Sequence, residues 1–228
     1  MLLEEQEEHF AGAANVGRVL NFPNKPVEGQ YKLELNNVDS LIADSLVYEA
    51  REVLLKLRDK VSGDNELEGV ILRLAFIHEL DHFENPILDF NLAYDYYELA
   101  SERFGSAEAF LAMANLHYMG LLEQADINTC LELLTHLVEE SYCANGLVFW
   151  ILGRIFLFGA SGSVDYDLAE KYFSKGWELG HVPSLGGLGY TKKLQGKRCV
   201  GLALRIKALM IALHRNFTVV DSPSMRQR

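Results

Sequence analysis

The amino-acid sequence predicts an all-α protein, an α-solenoid of about four helix–turn–helix repeats closed by a C-terminal helix. Three sets of landmarks carry that prediction. Asp89, Asp126 and Asp165 each stand four residues before a small residue (Ala93, Cys130, Ala169), and they lie 37 and 39 residues apart. The small residues Ala75, Ala114, Gly153 and Gly189 follow one another at 39, 39 and 36. The glycines Gly120, Gly159 and Gly196 are separated by 39 and 37. One period shared by three landmarks marks a repeat array, whose units bury their apolar faces against their neighbours.

Each landmark has a local physical reason. An Asp ahead of an apolar-periodic run is a preferred N-cap, because its carboxylate accepts a free backbone N–H at the positive end of the helix dipole. A Gly after the run supplies the left-handed conformation that ends a helix. In chain order, residues 1–38 read as an acidic N-terminal segment and an irregular arm, the arm at Asn15 to Asn37 holding Pro23 and Pro26. Asp39 to Val61 and Glu66 to Phe83 read as two helices parted by Ser62-Gly63-Asp64-Asn65, a divergent first hairpin over 39–88. The clear repeats occupy about 89–196. In the first of them Ala93, Tyr96, Tyr97 and Ala100 recur at helical spacing. A turn follows at Phe104-Gly105-Ser106, then a second helix with Ala109, Ala112, Met113 and Leu116. Arg198 to Arg215 reads as a capping half-repeat whose face Ala203, Ile206, Leu209, Met210 and Leu213 covers the last apolar surface. The helical domain thus runs over 39–216, and 217–228 reads as a flexible tail.

These residues resemble the Sel1-like repeats, relatives of the tetratricopeptide repeats. Tyr166-Asp167-Leu168-Ala169-Glu170-Lys171-Tyr172-Phe173 with Gly176 and Gly180 is similar to the first helix and turn of such a repeat. Leu152-Gly153, Phe156 and Gly159 match its second helix, and the linker from Gly159 to Asp165 resembles its Gly-rich loop. The resemblance covers about Asp89 to Gly196. It departs at Leu133-Leu134, where an aromatic pair is usual, and at Lys192, where an aromatic is usual. What it implies is a right-handed solenoid whose first helices line a concave face that holds a peptide or another protein. Members of the family act as adaptors in signalling, secretion, envelope assembly and host interaction, and some bacterial ones neutralise toxins.

Composition narrows the function classes. The chain has 228 residues, 49% hydrophobic and 23% charged, with a formal charge of −11. That field disfavours nucleic acid, whose binding needs clustered Lys and Arg to release counterions. The first residues, Met1 to Glu8, have neither a basic n-region nor an apolar h-region, so no secretory signal is expected. The most apolar stretch, Leu147 to Ala160, is broken by Arg154 and is shorter than the roughly 20 residues a bilayer span requires. It reads as a buried core helix, and no membrane insertion is expected. Three cysteines, Cys130, Cys143 and Cys199, form no CxxC pair. An odd count in apolar surroundings predicts reduced core residues and a cytoplasmic location.

His78-Glu79-Leu80-Asp81-His82 is an HExxH sequence on a predicted helix. On a helix the two imidazoles would share a face and could bind zinc, with Glu79 as general base toward a bound water. The wording resembles the metal motif of peptide deformylases, but the Gly-rich loop with a glutamine and the Glu-Gly-Cys segment of that family are missing. A third ligand would have to be Glu84, Asp89 or Glu102, none at a suitable spacing. The repeat supplies another account: His78 occupies the slot three residues after Ala75, which His117, Phe156 and Lys192 fill in the other units. A packing role is therefore expected, with zinc hydrolysis as the alternative and no cofactor. No Gly-Lys-Ser/Thr phosphate loop or GxSxG elbow occurs. Gly186-Gly187-Leu188-Gly189 follows no predicted strand and reads as helix packing.

The expected function is non-catalytic protein–protein interaction. Positions of the first helices left free by the landmarks are the candidate contact residues. They are Asn91, Tyr94, Asp95, Glu98 and Glu102 in one unit, then Glu132, His136 and Glu139, then Glu170, Lys171, Ser174 and Glu178. Their acidic character predicts a basic and aromatic partner segment. Self-association through the arm, with Val19, Leu20, Phe22 and Pro23, is a further expectation.

Overall fold

A computed structural model describes residues 31–81, 85–139 and 145–220, with side chains to 214. Among the described residues there are ten α-helices and no strand: α1 (Lys32–Ala43), α2 (Val47–Arg58), α3 (Asp64–Glu79), α4 (Phe90–Phe104), α5 (Ala107–Met119), α6 (Ile127–Glu139), α7 (Gly146–Phe158), α8 (Tyr166–Glu178), α9 (Val182–Leu194) and α10 (Arg198–Val220). They form two compact units, α1 to α5 and α6 to α10. Within each unit, helices adjacent in sequence pack on one another, as expected of a repeat architecture. Of the earlier expectations, residues 15–30 of the arm, His82, Cys143 and the tail from 221 lie outside the described residues.

In the first unit α3 is the central helix. It packs on α2 and α4 and is buried almost all round from Leu67 to Glu79. Polar groups inside such a helix need partners. Arg73, 4% exposed, donates to both Asp39 carboxylate oxygens on α1 at 2.7 and 2.9 Å and to the Gly69 carbonyl at 3.1 Å. The bidentate geometry satisfies a guanidinium that would otherwise be costly to bury.

The single helix expected over 39–61 is two. After Leu35, Val38 and Ile42, the next buried residue is Val47. A continuous helix would have placed Ser45 or Leu46 at that step. Asp44 and Ser45 are weak helix-interior residues, because their side chains compete for backbone groups. The chain turns there instead, with Ser45 at φ 61°. α1 also starts at Lys32, inside the stretch expected to be irregular, because Leu35 and Val38 carry the apolar period back across Asn36 and Asn37.

Asp89, Asp165, Gly120 and Gly159 behave as their chemistry predicts. The Asp89 carboxylate accepts the Leu92 N–H at 3.0 Å, and that of Asp165 accepts those of Asp167 and Leu168 at 3.0 and 2.8 Å. Gly120 and Gly159 end α5 and α7 in the left-handed region, at φ 66° and 69°. In the second unit the small residues permit close crossings. Phe173 of α8 is fully buried, and a Cβ added at Gly153 of α7 or Gly187 of α9 would lie 2.7 or 2.5 Å from its ring.

α10 departs from expectation at its packing face. It meets α9 through Ala208, with Leu204, Ile211 and Ala212 packed against Val182 and Leu185. Gly201 and Gly189 approach so closely that a Cβ on Gly189 would lie 2.7 Å from the Gly201 carbonyl oxygen. The face expected to cover the array is exposed instead: Ile206, Leu209, Met210 and Leu213 are 49%, 58%, 66% and 47% accessible. Small residues win the interface because only they allow the backbones this near. Cys199, expected in the core, is exposed, whereas Cys130 is buried.

Candidate functional site

The two sequence-derived candidates, the HELDH segment and the first-helix faces, have different fates. α3 ends at Glu79, and Leu80 is already extended at φ −69°, ψ 95°. The helix thus ends within the motif, three residues before His82, which lies outside the described residues. Asn85 explains why the helix stops: its side-chain amide donates to the carbonyls of Ile77 and Leu80 at 2.8 and 2.9 Å. Those are acceptors that a helix end leaves unpaired.

Both described members of the motif are engaged. The Glu79 carboxylate, 9% exposed, accepts the Tyr97 hydroxyl of α4 at 2.7 Å. His78 Nδ1 lies 2.7 Å from the Ile87 carbonyl oxygen. A carbonyl can only accept, so Nδ1 carries the proton and Nε2 the lone pair. Nε2 is buried without a hydrogen-bond partner among the described residues. The ring also stacks on Tyr96, centroids 6.0 Å apart. Burial holds the imidazole below its ordinary pKa, partly offset by the bond to Ile87.

The equivalent slot in the following unit shows the same device with the opposite tautomer. The Asp126 N–H donates to His117 Nδ1 at 3.1 Å, so the His117 proton sits on Nε2. In both cases a second-helix residue clasps the segment nine positions later that leads into the next first helix. In the second unit the same link is made by backbone alone, Asp165 N–H to the Phe156 carbonyl at 2.9 Å. At three of the four slots a second helix is thus fastened to its following linker, by side chain or by backbone; at the fourth, Lys192 reaches back to Glu170 of α8 instead.

The first-helix candidates divide into exposed and engaged groups. On α4, Asn91, Asp95, Glu98 and Glu102 are exposed, opposite the buried Ala93, Tyr97 and Ala100. Tyr94 is half-buried, its ring meeting that of His117 edge-on at 5.4 Å. Burial, with Glu98 and Asp95 adding to it, raises its phenol above the ordinary pKa. On α6, Glu132, His136 and Glu139 are exposed, opposite Cys130, Leu134 and Leu137. On α8, Lys171 is exposed and Ser174 half-buried, and Glu178 pairs with Lys175 at 3.2 Å in solvent. Glu170 is not free: it bonds to Lys192, the slot residue of α9. That bond holds its carboxyl below the usual carboxylate range.

Sequence reasoning missed Asn85, the Arg73–Asp39 pair and the setting of Arg154. The Arg154 guanidinium lies over the rings of Trp150 and Phe158, at 4.9 and 5.6 Å. The spacing of four residues on either side of it along one helix was a readable signal. Groups of three or more His, Cys, Asp or Glu arranged to hold a metal ion do not occur among the described residues. No protein-family model and no curated protein matches the chain.

Proposed function

We propose that the chain is a protein-binding module, an adaptor or regulator related to the Sel1-like repeat proteins, whose α4 face takes a basic segment of another protein. The reading rests on one observation. Asp95, Glu98 and Glu102 stand exposed on one side of α4, one helical turn apart, and none forms an ion pair among the described residues. Like charges at that spacing repel mildly, so the helix keeps them at a small cost that a cationic partner would relieve. Glu132 and Glu139 offer the same chemistry on α6. Steering by such a field speeds encounter and selects against acidic partners.

The test is Asp95→Lys with Glu98→Lys in one chain, compared with wild type by affinity capture from the native cell. Both positions are exposed, so the circular dichroism spectrum and melting temperature should stay unchanged while captured partners are lost. An unchanged set of partners on a folded variant ends this reading.

A zinc hydrolase at residues 78–82 draws on one feature, the buried lone pair on His78 Nε2, which is the protonation state a metal ligand needs. One equivalent of zinc in protein purified without added metal, lost in His78→Ala/His82→Ala, would replace the adaptor reading.

A further inference from the structure

We propose that α10 is a membrane-surface anchor, an amphipathic helix that lays its uncovered apolar face onto a lipid bilayer carrying anionic headgroups. Among the described residues α10 packs on one side, where Leu204, Ala208, Ile211 and Ala212 face α9. On the opposite side Leu202, Ile206, Leu209, Met210 and Leu213 are between 47% and 66% exposed. At 100° per residue these five fall within a stripe about 100° wide and about 17 Å long. Scattered exposed apolar residues are normal on a protein surface, but a contiguous stripe of this kind marks an interaction site.

The borders of the stripe identify what it meets. Arg198 and Arg205 project along one edge, and Lys207 and His214 along the other. No carboxylate occurs anywhere in α10, Arg198 to Val220, in a chain whose formal charge is −11. Lys193 and Lys197 stand exposed just before it. The stem of Arg205 packs against Gly189, and the Lys207 ammonium lies 5.4 Å from the centre of the Trp177 ring. The Arg205 stem is thus anchored at one margin of the stripe, and Lys207 is turned toward Trp177 at the margin of the packed side. An apolar face edged on both sides by long cationic side chains suits the boundary between acyl chains and phosphate headgroups, where stems stay in the apolar layer and charges reach the phosphates.

Other occupants fit less well. A second copy of the same face would bring Arg198, Arg205 and Lys207 of two chains together, with no carboxylate on either helix to offset them. The N-terminal segment carries Glu4, Glu5, Glu7 and Glu8, which complement the cations. Its large apolar groups are split between Met1, Leu2, Leu3 and Phe10 before Gly12 and Val16, Val19, Leu20 and Phe22 after it, and Gly12, Gly17 and Pro23 weaken any single helix that would join them. No described helix is long and apolar enough to cross a bilayer, so the association is with the surface. This anchor is independent of the α4 face and would hold a bound partner at the membrane.

Flotation of the full chain with vesicles of phosphatidylcholine, with and without phosphatidylglycerol, tests the proposal. The chain should float with the anionic vesicles and not with phosphatidylcholine alone. Binding should fall by about tenfold or more when the salt is raised from low to high concentration. Leu209→Glu with Met210→Glu should abolish flotation while leaving the circular dichroism spectrum intact, because both side chains are exposed. Absence of flotation by folded wild-type protein overturns the proposal, as does flotation that the double variant retains. A wild-type dimer that the variant converts to monomer would assign the face to a second copy. Binding that appears only after residues 1–30 are removed would assign it to the N-terminal segment. Either result also overturns the anchor.

Discussion

The Tyr97 hydroxyl donates to the Glu79 carboxylate over 2.7 Å, joining α4 to the last residue of α3. Glu79 is the residue that an HExxH reading makes a general base, and here its carboxylate serves as an acceptor that binds two helices. Tyr97→Phe removes the donor and leaves the volume. The expected cost is about 1.5–3 kcal/mol, the loss of a buried hydrogen bond to a carboxylate, read as a lower urea midpoint with an unchanged slope. A change below a few tenths of a kcal/mol would show that the bond contributes nothing net.

Asp39 and Arg73 tie α1 to the centre of the first unit. Because Arg73 is almost fully buried, losing its bidentate partner costs more than losing a surface ion pair. Asp39→Asn keeps the shape and deletes the charge. It should destabilise by about 1–3 kcal/mol and speed amide exchange in α1 before other helices. Equal acceleration throughout the first unit would show that α1 does not open on its own.

Phe173 fills the space that Gly153 and Gly187 leave open, so the three residues should act as one packing unit. Gly153→Ala forces a methyl to within 2.7 Å of the ring and should cost about 1–3 kcal/mol by overpacking. Phe173→Leu vacates part of that space. In its background the same Gly153→Ala change should cost at least about 1 kcal/mol less, the coupling expected of residues in contact. Strictly additive effects in the double-mutant cycle would refute the shared packing.

What the sequence made legible and what it hid follow from the range of each interaction. Asp89, Asp165, Gly120 and Gly159 act within one turn of their own helix end, so their identity and spacing reveal their role. The Arg73–Asp39 and Tyr97–Glu79 pairs join residues 34 and 18 positions apart, and no period announces them. α10 shows a different limit. It is apolar on two sides, and composition alone favours the larger residues Ile206, Leu209 and Met210 as the packed face. The close approach of Gly189 to Gly201 selects the smaller side instead, leaving the larger side uncovered. The α4 face was legible because burial of Ala93, Tyr97 and Ala100 fixes which residues point away. Glu170 was misplaced because its partner Lys192 lies on the next helix.

Three partly or fully buried histidines give the protein a signed response to acid. Burial lowers the pKa of His181 from 6.5 to about 4, and it lowers those of His78 and His117 as well. For each, the unfolded chain takes up a proton at a higher pH than the folded one. Their contribution to stability is therefore complete above about pH 6.5, and it is lost as the pH falls toward the folded values, about 4 for His181. The carboxylates of this acidic chain respond in their own way over part of that range, so the histidine term must be isolated by substitution. His181 is the best probe, because its Nδ1 meets Ser184 Oγ at 2.9 Å and its ring packs edge-on against Trp150. His181→Asn keeps a polar group near Ser184 and cannot titrate. Urea midpoints measured at intervals between about pH 7 and pH 4 should fall more steeply for wild type than for the variant. The difference between the two curves should open below about pH 6.5 and keep widening down to about pH 4. Parallel curves would show that the His181 imidazole titrates alike in the folded and unfolded chains, and that its burial does not hold it neutral.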